Sequence, residues 1–156
     1  RAQLHSRYRQ LQQEFHPDRY ASGSETEKRL AVQTASLINQ AYETLKSPLK
    51  RAQYLLEQQA IDASQESHIT SDTSFLMTQI ELREALAEAP SSADPLAALE
   101  DLRAGVANSY LEQQAEFAGH YESDNFDHAL NSLAKMQFSS KLLDEIEQLE
   151  AELEDL

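Results

Sequence analysis

The chain has 156 residues, a formal net charge of −14, no cysteine, three glycines and four prolines. Without cysteine it cannot form disulfides, use a thiol in catalysis or bind zinc or an iron–sulfur cluster through thiolates, and no apolar run is long enough to cross a membrane. Because Leu, Ala, Gln and Glu are abundant and helix breakers are rare, we expect an all-α protein of the cytoplasm.

The charge is distributed unevenly along the chain. Residues 1–58 contain nine Lys/Arg and six Asp/Glu, a net charge of +3, whereas residues 59–156 contain four and twenty-one, a net charge of −17. The difference predicts two regions with different partners. So acidic a chain repels phosphate backbones, which argues against general nucleic-acid binding.

The first predicted helix covers residues 1–15. Its apolar residues follow one helical stripe: Leu4, Tyr8, Leu11 and Phe15. No capping residue precedes the stripe, so we expect the element to begin before Arg1. Pro17 lacks a backbone donor and disfavours helix at His16, which ends this helix before the sequence His-Pro-Asp.

Two further helices complete the first region. Ser24 and Glu27 have the spacing of a capping box and open a long helix over residues 25–46. Its predicted buried face comprises Leu30, Thr34, Leu37, Ile38, Ala41 and Leu45. Ser47-Pro48 then opens a short helix over residues 49–58, with proline at the first helical position. We therefore predict a domain over residues 1–58.

Residues 59–71 lose the helical periodicity and are predicted to be a linker. Three helices follow within 72–156: one capped by Asp72 and ending near Glu88, one opened by Asp94-Pro95 and ending at Gly119, and one starting at Ser123 or Asp124. Short turns between long helices predict an antiparallel three-helix bundle. The 4-3 spacing of Leu142, Ile146, Leu149, Leu153 and Leu156 would also suit a coiled coil, but it spans only two heptads.

No pattern of catalytic chemistry emerges from the sequence. The five histidines are scattered without a His-x-x-x-His pair, and a Gly-rich phosphate loop and a nucleophile elbow are both missing. We therefore expect no enzyme activity, no metal site and no cofactor.

The predicted helix 72–88 has apolar residues on two sides. Phe75, Gln79, Leu82 and Leu86 share the side predicted to face the bundle. Leu76, Met77 and Ile80 lie on the other side, together with Glu81, Glu84 and Glu88. Exposed apolar residues edged by charge mark partner-binding sites, so this second side is a predicted interaction surface. A bundle that wraps further round the helix would instead bury Leu76 or Met77.

With YRQLQQEF, a His-Pro-Asp (HPD) loop, INQAYETLKSP and KRAQYLL, the first region resembles a J-domain. The DTSFLMTQIELREAL segment and the acidic helices behind it make the whole chain similar to the HscB family of iron–sulfur cluster co-chaperones. The resemblance implies that a J-domain stimulates ATP hydrolysis by the DnaK-type chaperone HscA, and that the acidic bundle binds the cluster scaffold IscU. It implies chaperone-binding residues His16, Pro17, Asp18, Arg7, Arg9 and Arg19, and scaffold-binding residues Leu76, Met77, Ile80, Glu81, Glu84, Glu88 and Phe138. Phe138 comes from the resemblance alone.

The resemblance has one departure, and rival interpretations exist. J-domains of this family start with a short hydrophobic helix before the position of Arg1, so we expect an N-terminally truncated J-domain here. A helical adaptor unrelated to chaperones would tolerate changes at His16 and Asp18. A nucleic-acid-binding module would use Arg7, Arg9 and Arg19, although Glu14 and Asp18 interrupt the basic surface. A metallohydrolase lacks ligands.

Overall fold

The computed structural model describes residues 1–63 and 72–156, and within them the chain forms six α-helices and no β-strand. This confirms the prediction of an all-α protein. No helix among the described residues is both long and apolar enough to span a membrane. The helices are α1 (Ala2–Phe15), α2 (Glu25–Lys46), α3 (Pro48–Gln58), α4 (Thr73–Glu88), α5 (Pro95–Glu122) and α6 (Phe126–Glu154), with 3-10 helices at Pro17–Tyr20 and Ala89–Ser91.

The chain divides into two compact units, Arg1–Leu55 and Leu56–Leu156. The division falls inside α3. Of the predicted linker, Gln59 and Ala60 form a turn in which Ala60 has a positive φ of 57°, and Ala63 is buried. The rest of that prediction, residues 64–71, lies outside the described residues.

In the first unit, α1 and α2 are joined by aromatic and polar contacts. The rings of Tyr8 and Tyr42 stack with centroids 3.9 Å apart, and the Tyr8 hydroxyl donates to Asn39 Oδ1 at 2.6 Å. Gln12 donates to the same hydroxyl, and His5 Nδ1 lies 3.0 Å from the Tyr42 hydroxyl. The predicted stripe Leu4, Tyr8, Leu11 and Phe15 is half-buried throughout, as expected for the side of α1 that faces α2.

The predicted buried face of α2 is wrong in part. Leu30, Leu37, Ala41 and Leu45 are exposed, and Thr34 and Ile38 are half-buried. The side that packs on α1 carries Ala31, Ile38 and Tyr42, and Leu30 and Leu37 lie about 100° away from it round the helix. Apolar spacing predicted an amphipathic helix correctly, but it could not say which of two apolar sides α1 covers.

Local capping follows the sequence closely. The Ser24 hydroxyl accepts from the Glu27 N–H at 3.2 Å, and the Glu27 carboxylate accepts from the Ser24 N–H at 3.1 Å, which confirms the capping box. A Cβ on Gly23 would force that carboxylate to shift away from its place in the capping box. These contacts define where α2 begins after the loop.

The second unit is the three-helix bundle of α4, α5 and α6. Its core contains Ala89, Leu99, Val106, Leu142 and Ile146, against which Leu82, Leu86, Leu102, Leu149 and Leu153 pack. An ion pair between Arg103 and Glu150 links α5 to α6. The apolar residues with 4-3 spacing, from Leu142 to Leu153, therefore pack inside this bundle. Leu156, at the end of the repeat, is fully exposed. The prediction of a three-helix bundle is confirmed, and the 4-3 spacing needs no coiled coil to explain it.

The predicted end of α5 at Gly119 is wrong, because the helix continues to Glu122. Gly119 keeps a negative φ, whereas Asp124 takes the left-handed φ of 55° that ends the helix. The Asn125 N–H then donates to the His120 carbonyl at 2.8 Å, and α6 begins at Phe126, two or three residues later than predicted.

Candidate functional site

The HPD sequence forms a short, hydrogen-bonded turn after α1. His16 is extended, with φ −61° and ψ 131°, and Pro17–Tyr20 forms a 3-10 helix. The Arg19 N–H donates to the His16 carbonyl at 3.0 Å, and the Tyr20 hydroxyl donates to the Glu14 carbonyl at 3.4 Å. Proline at the first position supplies a fixed φ and removes a donor that has no partner there. The turn therefore has a defined backbone.

The polar side chains of the turn point into solvent. The Asp18 N–H donates to His16 Nδ1 at 3.2 Å, which places the proton of the neutral imidazole on Nε2. Asp18 Oδ2 lies 3.6 Å from the same Nδ1, but an ion pair there requires a protonated Nδ1 and would break the shorter hydrogen bond. The Asp18 side chain is 94% exposed, so its carboxylate is accessible to a partner.

Of the three predicted basic residues, two lie beside this turn. Arg9, Arg19 and His16 line an open groove of about 710 Å³ with Gln12 and Gln13. Arg7 is not part of this lining; its guanidinium donates to Gln10 Oε1 at 3.0 Å on α1. The structure thus brings His16, Arg9 and Arg19 to one surface.

The start of α4 is anchored on α6 by a capping aspartate. Asp72 Oδ1 accepts from the Phe75 N–H at 3.1 Å, and Oδ2 accepts from Lys135 Nζ at 3.0 Å. The Phe75 N–H and then Lys135 lower the pKa of Asp72 below its ordinary value. Lys135 Nζ also lies 5.4 Å from the centroid of the Phe75 ring.

An apolar groove of about 610 Å³ runs between α4 and α6. The edge of Phe75 packs against Phe138 with ring centroids 5.7 Å apart, so Phe138 of α6 is held beside α4. Further along α4, an ion pair between Arg83 and Glu145 joins the two helices again. The groove is lined by Leu76, Gln79, Ile80, Arg83, Glu84, Ala87 and Phe138.

The structure divides the predicted scaffold-binding residues between two sides of α4. Leu76, Ile80 and Glu84 line the groove together with Phe138 of α6. Met77, Glu81 and Glu88 are exposed on α4 but do not line it. A partner that contacts all seven must therefore fill the groove and also cover the outer side of the helix.

Three residues that line the groove, Gln79, Arg83 and Ala87, were missing from the sequence-based list of binding residues. Gln79 had been placed on the core side of α4, and Arg83 had been given no role. Round the helix, Arg83 lies only about 20° from Leu76 and about 80° from Phe75. Helical geometry alone could therefore have placed Arg83 on the same side of α4 as Leu76. The pairing of Arg83 with Glu145, 62 residues away, could not be predicted in this way.

Across residues 1–63 and 72–156, no group of three or more metal-ligating side chains is assembled. His120 and His128 approach each other, with ring centroids 5.2 Å apart, at the turn between α5 and α6.

Two family models match this chain. Residues 1–54 match the DnaJ domain, and residues 71–147 match the HSCB C-terminal oligomerisation domain. The first covers the HPD turn and the second covers α4, α5 and most of α6.

Known proteins give the same result along almost the whole chain. The co-chaperone protein HscB of Proteus mirabilis (strain HI4320) is 41% identical over 153 residues, which is 98% of this chain and 88% of that protein. The HscB homolog of Aeromonas salmonicida (strain A449) is 44% identical over 148 residues, 94% of this chain and 85% of that protein.

Among solved structures, the chaperone HscB from Vibrio cholerae superposes with a TM-score of 0.83 at 40% identity, covering 96% of this chain and 88% of its own. Human co-chaperone protein HscB superposes with a TM-score of 0.81 at 32% identity, covering 95% and 73%.

Proposed function

This chain belongs to the HscB family of co-chaperones, and on that premise we propose that it is a non-enzymatic adaptor of iron–sulfur cluster assembly in the cytoplasm. In this proposal its bundle binds the scaffold protein IscU, and its HPD turn stimulates ATP hydrolysis by the DnaK-type chaperone HscA. Family membership removes the reason to consider a helical adaptor unrelated to chaperones. Neither nucleic acid nor membrane is a proposed partner.

At the chaperone-binding surface, Asp18 is the acceptor for a basic residue of HscA. Pro17 limits the conformations of the turn, so less entropy is lost when the 94% exposed carboxylate of Asp18 forms charge-assisted hydrogen bonds. Arg9 and Arg19, beside His16, and Arg7 on the same helix as Arg9 attract an acidic chaperone surface and speed the encounter.

Stimulation requires more than tight binding. A ligand that binds two states of the chaperone equally tightly does not shift the equilibrium between them. The HPD turn must therefore bind the hydrolysis-competent state of HscA more tightly than the other state. The chemistry of ATP hydrolysis belongs to HscA. This chain contributes only the differential contact.

At the scaffold-binding surface, the groove between α4 and α6 takes an apolar segment of IscU. Leu76, Ile80 and Phe138 supply apolar contact area, and Glu84 supplies charge at the same surface. Met77, Glu81 and Glu88 extend the contact over the outer side of α4. Apolar anchors surrounded by charge are typical of the energetically dominant part of an interface.

The observation that carries the proposal is the groove that Phe138 lines together with Leu76 and Ile80. A bundle with no client to bind gains nothing from leaving these side chains in one open groove. Its presence in a chain that also displays an HPD turn supports an adaptor that brings a client to a chaperone.

The test is the steady-state ATPase rate of HscA, measured with this protein alone, with IscU alone and with both. We expect stimulation by this protein and a larger, more than additive stimulation when IscU is present. The Asp18→Ala variant should remain folded and bind IscU yet stimulate no hydrolysis. Absence of stimulation by the wild-type chain would refute the chaperone half of the proposal, and absence of IscU binding would refute the other half.

A further inference from the structure

One glutamine of α4 carries a buried acceptor for which the described part of the chain supplies no donor. Gln79 is only 8% exposed, and among the described residues its buried Oε1 has no hydrogen-bond partner. A buried acceptor without a donor has lost its water and gained nothing in return, so it raises the free energy of the folded state. Such an atom in a well-packed bundle calls for a physical explanation.

A second buried glutamine shows how the same bundle treats a structural amide. Gln113 of α5 is 6% exposed, and its Oε1 accepts from the Ser139 hydroxyl at 2.8 Å. Gln113 does not line the groove between α4 and α6, whereas Gln79 does. The two glutamines are similarly buried, but within residues 1–63 and 72–156 the Oε1 of Gln113 has a donor and the Oε1 of Gln79 has none.

The neighbours of Gln79 in the groove do not donate a hydrogen bond to its Oε1. Leu76, Ile80 and Phe138 are apolar, and the Arg83 guanidinium is engaged by Glu145. The last torsion of a glutamine side chain is broad, so its carboxamide can turn the oxygen toward the groove at little cost. A segment lying in the groove can then supply the missing donor.

We propose that Gln79 is a specificity-determining residue of the groove, whose Oε1 accepts a hydrogen bond from a peptide N–H of the bound segment. The inference rests on the proposed function and deepens it. Apolar lining alone admits any apolar segment of suitable size, whereas a waiting acceptor selects one that presents an N–H at that position.

This role predicts effects of opposite sign on folding and on binding. Gln79→Met keeps the length and approximate volume of the side chain but removes the acceptor. The free protein then loses an unsatisfied group, so its melting temperature should stay the same or rise. The bound segment loses its acceptor and buries an unpaired N–H, so the affinity should fall by about tenfold.

The experiment compares Gln79→Met with Gln113→Met in the full chain. Thermal unfolding followed by circular dichroism measures stability, and isothermal titration calorimetry with IscU measures affinity. We expect Gln79→Met to weaken IscU binding without lowering the melting temperature. The control Gln113→Met should lower the melting temperature, because Ser139 loses its acceptor, and should leave the IscU affinity unchanged.

Different outcomes overturn the inference and the proposed function. If wild-type protein binds IscU and Gln79→Met binds it equally well, the inference is wrong and the proposed function stands. If Gln79→Met lowers the melting temperature as Gln113→Met does, Gln79 is a structural residue and the inference is also wrong. If wild-type protein does not bind IscU, scaffold binding fails, and the proposed role of Gln79 fails with it.

Discussion

Replacing Ile80 by alanine tests the groove at a position where the expected effect can be worked out. Burying an isoleucine side chain fully is worth about 1.5 to 3 kcal/mol. Ile80 is 53% exposed in the free protein, so about half of that value remains available to a partner. Because alanine keeps the Cβ, we expect a loss of about 1 kcal/mol of binding free energy, or about fivefold in Kd.

The assay is isothermal titration calorimetry of each variant with IscU, after circular dichroism has shown that the helices are intact. Leu111→Ala is the matched control, because Leu111 is 62% exposed on α5 and does not line the groove. Its affinity for IscU should equal that of the wild type. An unchanged Kd for folded Ile80→Ala, or an equal loss for Leu111→Ala, would contradict the assignment of the groove.

Three further predictions concern the HPD turn, the first unit and the start of α4. Asp18→Ala should reduce stimulation of HscA to background in a coupled ATPase assay while the Kd for IscU stays unchanged. Tyr8→Phe should lower the free energy of unfolding by about 1 kcal/mol in urea titrations, because the shared hydroxyl is lost while the ring stack is kept. The Phe75 N–H and Lys135 lower the pKa of Asp72 in the folded protein below its ordinary value of 3.8. The charged carboxylate therefore stabilises the fold at pH values above 3.8, and this stabilisation is lost as the pH falls through the folded-state pKa. Asp72→Asn should therefore be less stable than wild type at neutral pH and equally stable well below pH 3.8, as measured by urea unfolding at both.

Each of these has a control or a contrary result. Glu43→Ala, which removes an exposed carboxylate elsewhere in the first unit, should keep full stimulation of HscA. An unchanged urea midpoint for Tyr8→Phe would mean that the hydroxyl bonds contribute nothing to holding α1 on α2. Asparagine can still cap α4, so a stability difference at Asp72 that persists in acid would show that charge is not its cause.

Features governed by neighbouring residues could be predicted from the sequence. The capping box of Ser24 and Glu27, the cap of α4 by Asp72 and the stop at Pro17 each depend on contacts within about four residues, which helical geometry makes regular. Gly119 shows the limit of such reasoning, because a glycine can end a helix but need not. Asp124, five residues later, took the left-handed conformation instead.

What the sequence by itself determined was an all-α chain with a changed charge balance near residue 58, an HPD turn after the first helix and a helix with apolar residues on two sides. Only the tertiary structure decided which sides became buried. Whether α2 turns Leu37 or Ile38 toward α1, and whether Phe138 lines the same groove as Ile80, depends on how helices far apart in the chain pack together. The Asp72–Lys135 and Arg83–Glu145 pairs, separated by 63 and 62 residues, join the start and the middle of α4 to α6. Periodicity along one helix carries no information about such partners, because it gives the direction of a side chain and not what lies opposite.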